Sequence, residues 1–440
     1  MLNVLKCSKE LELKITLWLN HLLVIYAFLI PIHNKSKSSL FFVMLLLFLY
    51  RRNYWHYIKS ALSNKIVQVF IIFYIVNVLG FIYTDNFVLA KSSIGHAKYI
   101  LFPLIFLAFL DKRFSIRILT AFSLGIFFSE LVSYAIRFEI LPPEVFFFNH
   151  EVYSTKFSDP SPFFNHLDHN IGLAVMVSLL LYQFLNFKLS LITKLFTLLF
   201  MISATINMTL IGSRTGYVLY IVLIITALIV SYKKNIGKAL IFALILLIPI
   251  SYFAYMESSM VNKRVNQTIE SIEKIVNEKD YDNSLGLRVG LSMYSLEVIK
   301  NNPIIGVGTG DYMDELHSVI PFEHSYLKRL KQPHNVYIKT LLQFGIIGFI
   351  SFLYIFYALF KYKDTSEENK GMLIILSMAV LVVMLPGKFY GFFVLPMFVT
   401  LVSAFIVNST RDIQWQDFDL KMGLKYVLLT IIFLLIGITK

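Results

Sequence analysis

The sequence predicts an all-α, multi-pass transmembrane helical bundle of about twelve spans. Three observations carry that prediction. Hydrophobic residues make up 57% of the 440-residue chain and charged residues only 15%; a soluble domain has about 45–50% apolar and roughly 25% charged residues. The apolar residues lie in long blocks, and twelve spans of about 20 residues use roughly 240 residues. The basic residues between the blocks are distributed unevenly from one side to the other. This composition excludes a soluble enzyme, a disordered chain and a nucleic-acid binder. The net charge of +13 is therefore read by its placement along the chain. A single cysteine, Cys7, excludes an intramolecular disulfide framework and a thiolate zinc cluster.

The apolar blocks place spans near 15–32, 38–50, 65–83, 98–110, 115–136, 168–186, 191–211, 214–231, 238–255, 335–360, 371–386 and 389–408. A further apolar stretch, 424–438, is either a thirteenth span or an interfacial helix. The first apolar run flows into the second without a cleavable-signal pattern, so it is expected to be retained. With the N-terminus inside, inner loops collect Lys6, Lys9 and Lys14, then Arg51, Arg52, Lys59 and Lys65, then Lys112, Arg113 and Arg117. Lys188, Lys194, Lys233, Lys234, Lys238, Lys361, Lys363 and Lys370 continue the series, while outer short loops hold fewer cations. The positive-inside rule sets the orientation accordingly.

This organisation divides the chain into 1–255, nine spans; 256–334, a long outer loop or lid; and 335–440, the remaining spans and an apolar tail. A second outer segment, 137–167, is rich in Pro, Phe and His. Loops of such length usually carry function. Within the lid, 258–278 has the spacing of an amphipathic helix, with Lys263, Arg264 and Glu270 on its polar face. A second helix is expected over about 285–301, capped by Asn283 or Ser284 and ended by Pro303 and Gly306-Val307-Gly308-Thr309-Gly310. Those glycines form no Walker loop, because no Gly-Lys-Ser/Thr follows; a close-packed turn is the expectation.

Several positions carry candidate chemistry. Arg288, in the first turn of the second lid helix, is either an ordinary surface arginine or a bidentate phosphate ligand. Arg214 lies between two apolar runs, in Gly212-Ser213-Arg214-Thr215-Gly216. An arginine at the bilayer centre costs about 2.5–3.5 kcal/mol on insertion scales, so this one faces the bundle interior or snorkels to headgroups. His334 stands at the mouth of a span whose helix Asn335 can cap; it is either structural or a base for a hydroxyl near pH 7. Lys388, between two outer span ends, is either an interfacial anchor or an added charge for an anion, and Lys98 and Lys339 share the ambiguity. Finally, His166, Asp168 and His169 are metal-ligand types, yet they open a membrane helix that Asp168 or Asn170 would cap. The aromatics of 146–164 either stack on sugar rings or form an interfacial belt.

Together these residues resemble a family. His334-Asn335, nine residues, then Gly345-Ile346-Ile347-Gly348 is similar to the His-Asn/Ser/Gln, nine residues, Gly-x-x-Gly signature of bacterial O-antigen ligases. Arg288 followed by Pro303-Ile304-Ile305-Gly306-Val307-Gly308 resembles the same family's Arg-helix-Pro-x-x-Gly-x-Gly stretch, and the Arg214 turn its Ser-Arg-Thr/Gly motif. Asn170-Ile171-Gly172 fits that family loosely, making Asn170 and His169 candidates to face glycan or lipid. The superfamily also contains O-antigen polymerases. What the resemblance implies is a GT-C-like transferase of the inner membrane, acting on the periplasmic side without metal or cofactor. The implied donor is an undecaprenyl-diphosphate-linked glycan and the implied acceptor lipid A-core. Arg214 and Arg288 would bind the diphosphate, with Lys388 as a further candidate, and His334 would deprotonate the acceptor. Two alternatives stand beside this: polymerisation of lipid-linked repeats, and a polyprenyl-glycan transporter. A transporter should place charges deep within several helices.

Overall fold

A computed structural model describes residues 9–51, 53–147, 149–414 and 417–439. Lys6, Cys7 and Arg52 lie outside the described residues. The chain begins with α1 (Lys9–Leu29), α2 (Asn34–Tyr50), α3 (Tyr54–Leu62), α4 (Lys65–Leu79), α5 (Phe87–Ala97), α6 (Phe102–Phe109) and α7 (Ser115–Arg137). A hairpin of β1 (Glu144–Phe147) and β2 (His150–Ser154) precedes α8 (His166–Asn186), α9 (Leu191–Leu210), α10 (Arg214–Ser231) and α11 (Ile236–Glu257). The lid holds α12 (Ser259–Glu273), α13 (Gly286–Asn301) and α14 (Tyr312–Val319). The chain closes with α15 (Val336–Lys361), α16 (Glu367–Val383), α17 (Val394–Ile406) and α18 (Leu420–Ile438).

The protein is an all-α, multi-pass helical protein. Among the described residues nine helices are long and apolar enough to cross a membrane, and the pair α3–α4, bent by 92°, is a tenth candidate. Three further helices are shorter, with 17 residues in α2, 17 in α16 and 13 in α17. At about 1.5 Å per residue, 13 residues reach only about 20 Å. The expected span 389–408 thus shrinks to α17, and every one of its residues is buried. A helix that is apolar all round belongs inside a bundle. The expected span 98–110 instead starts earlier: α5, a 3₁₀ turn and α6 run together over Phe87–Phe109. Lys91, His96 and Lys98 dilute its hydropathy and conceal the first half.

The stretch 424–438 falls within α18, which runs antiparallel to α2: a Cβ on Gly437 would meet Ser36 Oγ at 2.1 Å. Tyr426 also ties it to α1, its hydroxyl 2.7 Å from His21 Nδ1. Within 137–167, β1 and β2 pair as an antiparallel hairpin, with Phe147 opposite His150 and Asn149 at φ +64° between them. Asn tolerates that left-handed backbone better than most residues.

The lid has a small apolar core of its own. Tyr281, Leu291, Val298, Tyr312, Leu316 and Leu327 pack together and continue onto Leu342 of α15. Asn283 accepts hydrogen bonds from the amides of Leu285 and Gly286 in the turn that leads into α13, whose own cap residue, Leu285, makes no side-chain bond. The glycine-rich turn after α13 docks into a break in α15. Val307 N donates to Leu342 O at 2.8 Å, and Ile346 N to Pro303 O at 2.9 Å. At the break Gly345 has φ +56° and ψ −157°, and a Cβ there would meet Ile304 C at 2.4 Å. Only glycine enters that backbone region without strain. Gly306 and Gly308, at φ +69° and +98°, turn the docked segment.

Candidate functional site

Four elements meet at one end of the bundle. Arg214 is the first residue of α10, whose Ser213 caps it by accepting from Gly216 N at 3.2 Å. Arg264 lies on α12 and Arg288 in the first turn of α13. His334 immediately precedes Asn335, whose side chain accepts from Tyr337 N and Ile338 N at 3.0 and 3.2 Å and caps α15. These three arginines and His334 line one cavity of about 750 Å³. Its remaining wall is mainly apolar, including Val218, Ile269, Met293, Leu296 and Leu385.

Among the described residues none of the three arginines makes an ion pair. Arg214 donates to Thr268 Oγ1 at 3.3 Å. Arg264 donates to Gln267 Oε1 at 3.2 Å, and its Nε is buried without a partner. It lies directly over the Arg214 turn: a Cβ on Gly212 would meet Arg264 Nε at 2.7 Å. Burial and the charge of Arg214 push Arg288 below the ordinary arginine value. An arginine nonetheless stays cationic. Three cations facing one cavity with no countercharge repel each other, and a polyanion relieves that repulsion.

His334 has a left-handed backbone, φ +53°. It lies against Gly387, where a Cβ would meet His334 Cα at 2.7 Å. Burial, then the charges of Arg288 and Lys388, lower its pKa from the ordinary histidine value. All three disfavour imidazolium, so the ring is a neutral base near pH 7.

Other sequence-derived candidates lie elsewhere. Lys388 does not line the arginine cavity; its Nζ is 3.6 Å from Asp168 Oδ2. Its loop is held by Lys37, buried in α2, which donates to Phe392 O. His169 and Asn170 are buried between helices and do not face glycan or lipid. His169 bridges Ser129 and Asn207 at 3.2 and 3.1 Å, while Asn170 donates to Met208 O at 3.2 Å and packs on Gly216. The cap of α8 is Asn165 instead of Asp168 or Asn170, because its Oδ1 accepts from Leu167 N and Asp168 N. Among the described residues no three His, Cys, Asp or Glu side chains form a metal-ligating group. Gly345, Gly348, Gly306 and Gly308 serve the docked break and do not line the cavity. Sequence reasoning missed Arg264, which reads as one cation on the polar face of an amphipathic helix. Its one available signal was helical spacing: Arg264 and Thr268 share a face, and Thr268 meets Arg214.

A bundle of apolar helices with a cation-lined cavity at one end defines an integral membrane protein. Residues 196–353 match the family described as O-antigen ligase. Arg214, Arg264, Arg288, His334 and the α15 break all fall inside the matched segment. An uncharacterized protein of Haemophilus influenzae is 28% identical over 167 residues. That match covers 37% of this chain and 42% of the relative.

Proposed function

We propose that this protein transfers a glycan from a polyprenyl diphosphate to a sugar hydroxyl. In its specific form it ligates undecaprenyl-diphosphate-linked O-polysaccharide to lipid A-core, on the periplasmic face of the bacterial inner membrane. The observation that carries this reading is the cavity in which Arg214, Arg264, Arg288 and His334 meet without a carboxylate. Arginine matches phosphate oxygens bidentately, and apolar walls suit the polyprenyl chain beside them. The site end of α10 and α15 lies opposite the end carrying Lys233 and Lys361, which the positive-inside rule assigns to the cytoplasm.

The chemistry follows from the residues. The acceptor oxygen attacks the anomeric carbon as the bond to the diphosphate oxygen breaks. Negative charge develops on the departing diphosphate, where the three guanidinium groups stabilise it more than in the ground state. The acceptor proton passes to the neutral imidazole of His334. In-line attack inverts the anomeric centre. The products are the extended acceptor and polyprenyl diphosphate.

The test is a transfer assay on purified protein in detergent, given lipid-linked glycan with lipid A-core or the donor alone. Glycan on lipid A-core is the expected product; longer lipid-linked chains from donor alone would make the protein a polymerase. No covalent product in either tube beside an active control would sink the reading. Arg214→Ala, Arg288→Ala and His334→Ala should each lower turnover at least about 100-fold, the scale of losing one stabiliser of developing charge. Full activity in any two would overturn the site assignment. Arg264→Ala should raise the donor KM, and Arg288→Lys should fail to restore turnover because lysine lacks the bidentate fork.

A further inference from the structure

A second cavity, of about 330 Å³, opens on the other side of His334. The wall between the two is thin. It consists of His334, Asn335 and the Pro386-Gly387 turn; Ile338 faces the arginine cavity and Lys339, the next residue of α15, faces the second. The close approach of Gly387 to His334 keeps it thin.

The second cavity differs in chemistry from the first. Polar groups dominate it: Ser92, Ser93, His96, Lys331 and Lys339, with Tyr312 and Tyr390. Lys339 Nζ sits 5.0 Å from the Tyr312 ring centroid and 5.2 Å from that of Tyr390, with no ion pair among the described residues. The Tyr390 hydroxyl is buried without a hydrogen-bond partner. His96 Nδ1 donates to Ser92 O at 2.8 Å, a carbonyl that can only accept. Among the described residues no carboxylate lines this cavity. Its volume is at the lower end of the range for small-ligand pockets, about 300–1,000 Å³.

We propose that this cavity is the acceptor subsite and that it takes a sugar bearing an anionic substituent. The inference rests on the glycosyl-transfer reading. A base that removes the acceptor's proton must reach the acceptor hydroxyl while that hydroxyl meets the donor's anomeric carbon, and His334 lines both cavities. The buried, unpaired Tyr390 hydroxyl awaits a partner, since such a group is costly unless a ligand satisfies it. Lys339 supplies a cation held between two tyrosine faces, with Lys331 at the rim, so an acidic substituent beside the reactive hydroxyl matches the charge.

Steady-state transfer is measured at varied donor and varied acceptor, with lipid A-core bearing its core phosphates and with the same acceptor after enzymatic dephosphorylation. Tyr390→Phe removes only the orphan hydroxyl and leaves the packing in place. It should raise the acceptor KM about 3- to 10-fold and leave the donor KM unmoved. Lys339→Met should raise the KM of the phosphorylated acceptor about tenfold or more and leave that of the dephosphorylated acceptor unchanged. If wild type transfers equally well to both acceptors, the anionic part of the proposal falls. A rise in donor KM, equal losses on both acceptors, or no change in either variant would overturn the subsite. Wild-type protein that transfers nothing overturns the reading as well, whereas wild-type transfer with unmoved acceptor constants overturns this proposal alone.

Discussion

His334 holds a backbone conformation, φ +53°, that L residues other than Asn, Asp and His rarely adopt. That turn places the imidazole on the partition between two cavities instead of continuing α15 backward. Its charge environment makes a pH prediction. Burial, Arg288 and Lys388 all disfavour the imidazolium, so the neutral form, the base of the proposed mechanism, persists below the ordinary histidine value. Lys388→Met removes one repelling charge, raises the His334 pKa and should move the acid limb of kcat/KM to higher pH. Asp168→Asn frees Lys388 from its 3.6 Å partner and should move that limb the other way. Both limbs are read from transfer rates across pH 4.5–8; identical profiles would mean that His334 is not the titrating base.

At the scale of elements, the decisive feature is the break in α15. A helix that enters the bundle straight would leave the Pro303–Gly308 segment undocked, with the lid tied to the bundle at fewer points. Gly345 makes the break, and the amide of Ile346, freed from its own helix, bonds to Pro303 O at 2.9 Å. Gly345→Ala adds a Cβ 2.4 Å from the Ile304 carbonyl carbon and puts alanine where strain costs about 1–3 kcal/mol. The expected outcome is a lid cut faster by protease within 274–285, a lower melting temperature in detergent and loss of transfer. Unchanged proteolysis would show that the docked turn does not anchor the lid. Asn335→Ala, which removes the α15 cap, should cost about 1 kcal/mol in the same melting assay.

Over the whole molecule, charge asymmetry and site position coincide. The Lys233–Glu367 ion pair marks one end of the bundle, and the arginine cavity lies at the other. With Cys7 replaced by Ser, a single cysteine at Lys328 should react with a membrane-impermeant maleimide in spheroplasts, where the outer face of the inner membrane is open to reagent. One at Lys363 should react only after permeabilisation. The opposite pattern would invert the orientation and move the cavity to the cytoplasmic face. α18 meets α2 near Ser36 and α1 at His21, so it runs with the bundle helices and not across their end, as the thirteenth-span alternative requires.

The sequence by itself determined that this protein is a bundle of apolar helices, and it picked out Arg214, Arg288 and His334. Block length and local motifs are properties of neighbouring residues, and those survive in one dimension. Tertiary structure decided what lies near what. Arg264 looks like any cation on an amphipathic face until α12 is laid over Gly212. His169 and Asn170 look exposed at a helix start until α9 and α10 close over them. The second cavity gathers residues from near 92, 312, 335 and 390, so no local pattern announces it. Helix formation is dictated by short-range periodicity, whereas a site between helices depends on how their faces pack, and packing couples residues hundreds of positions apart.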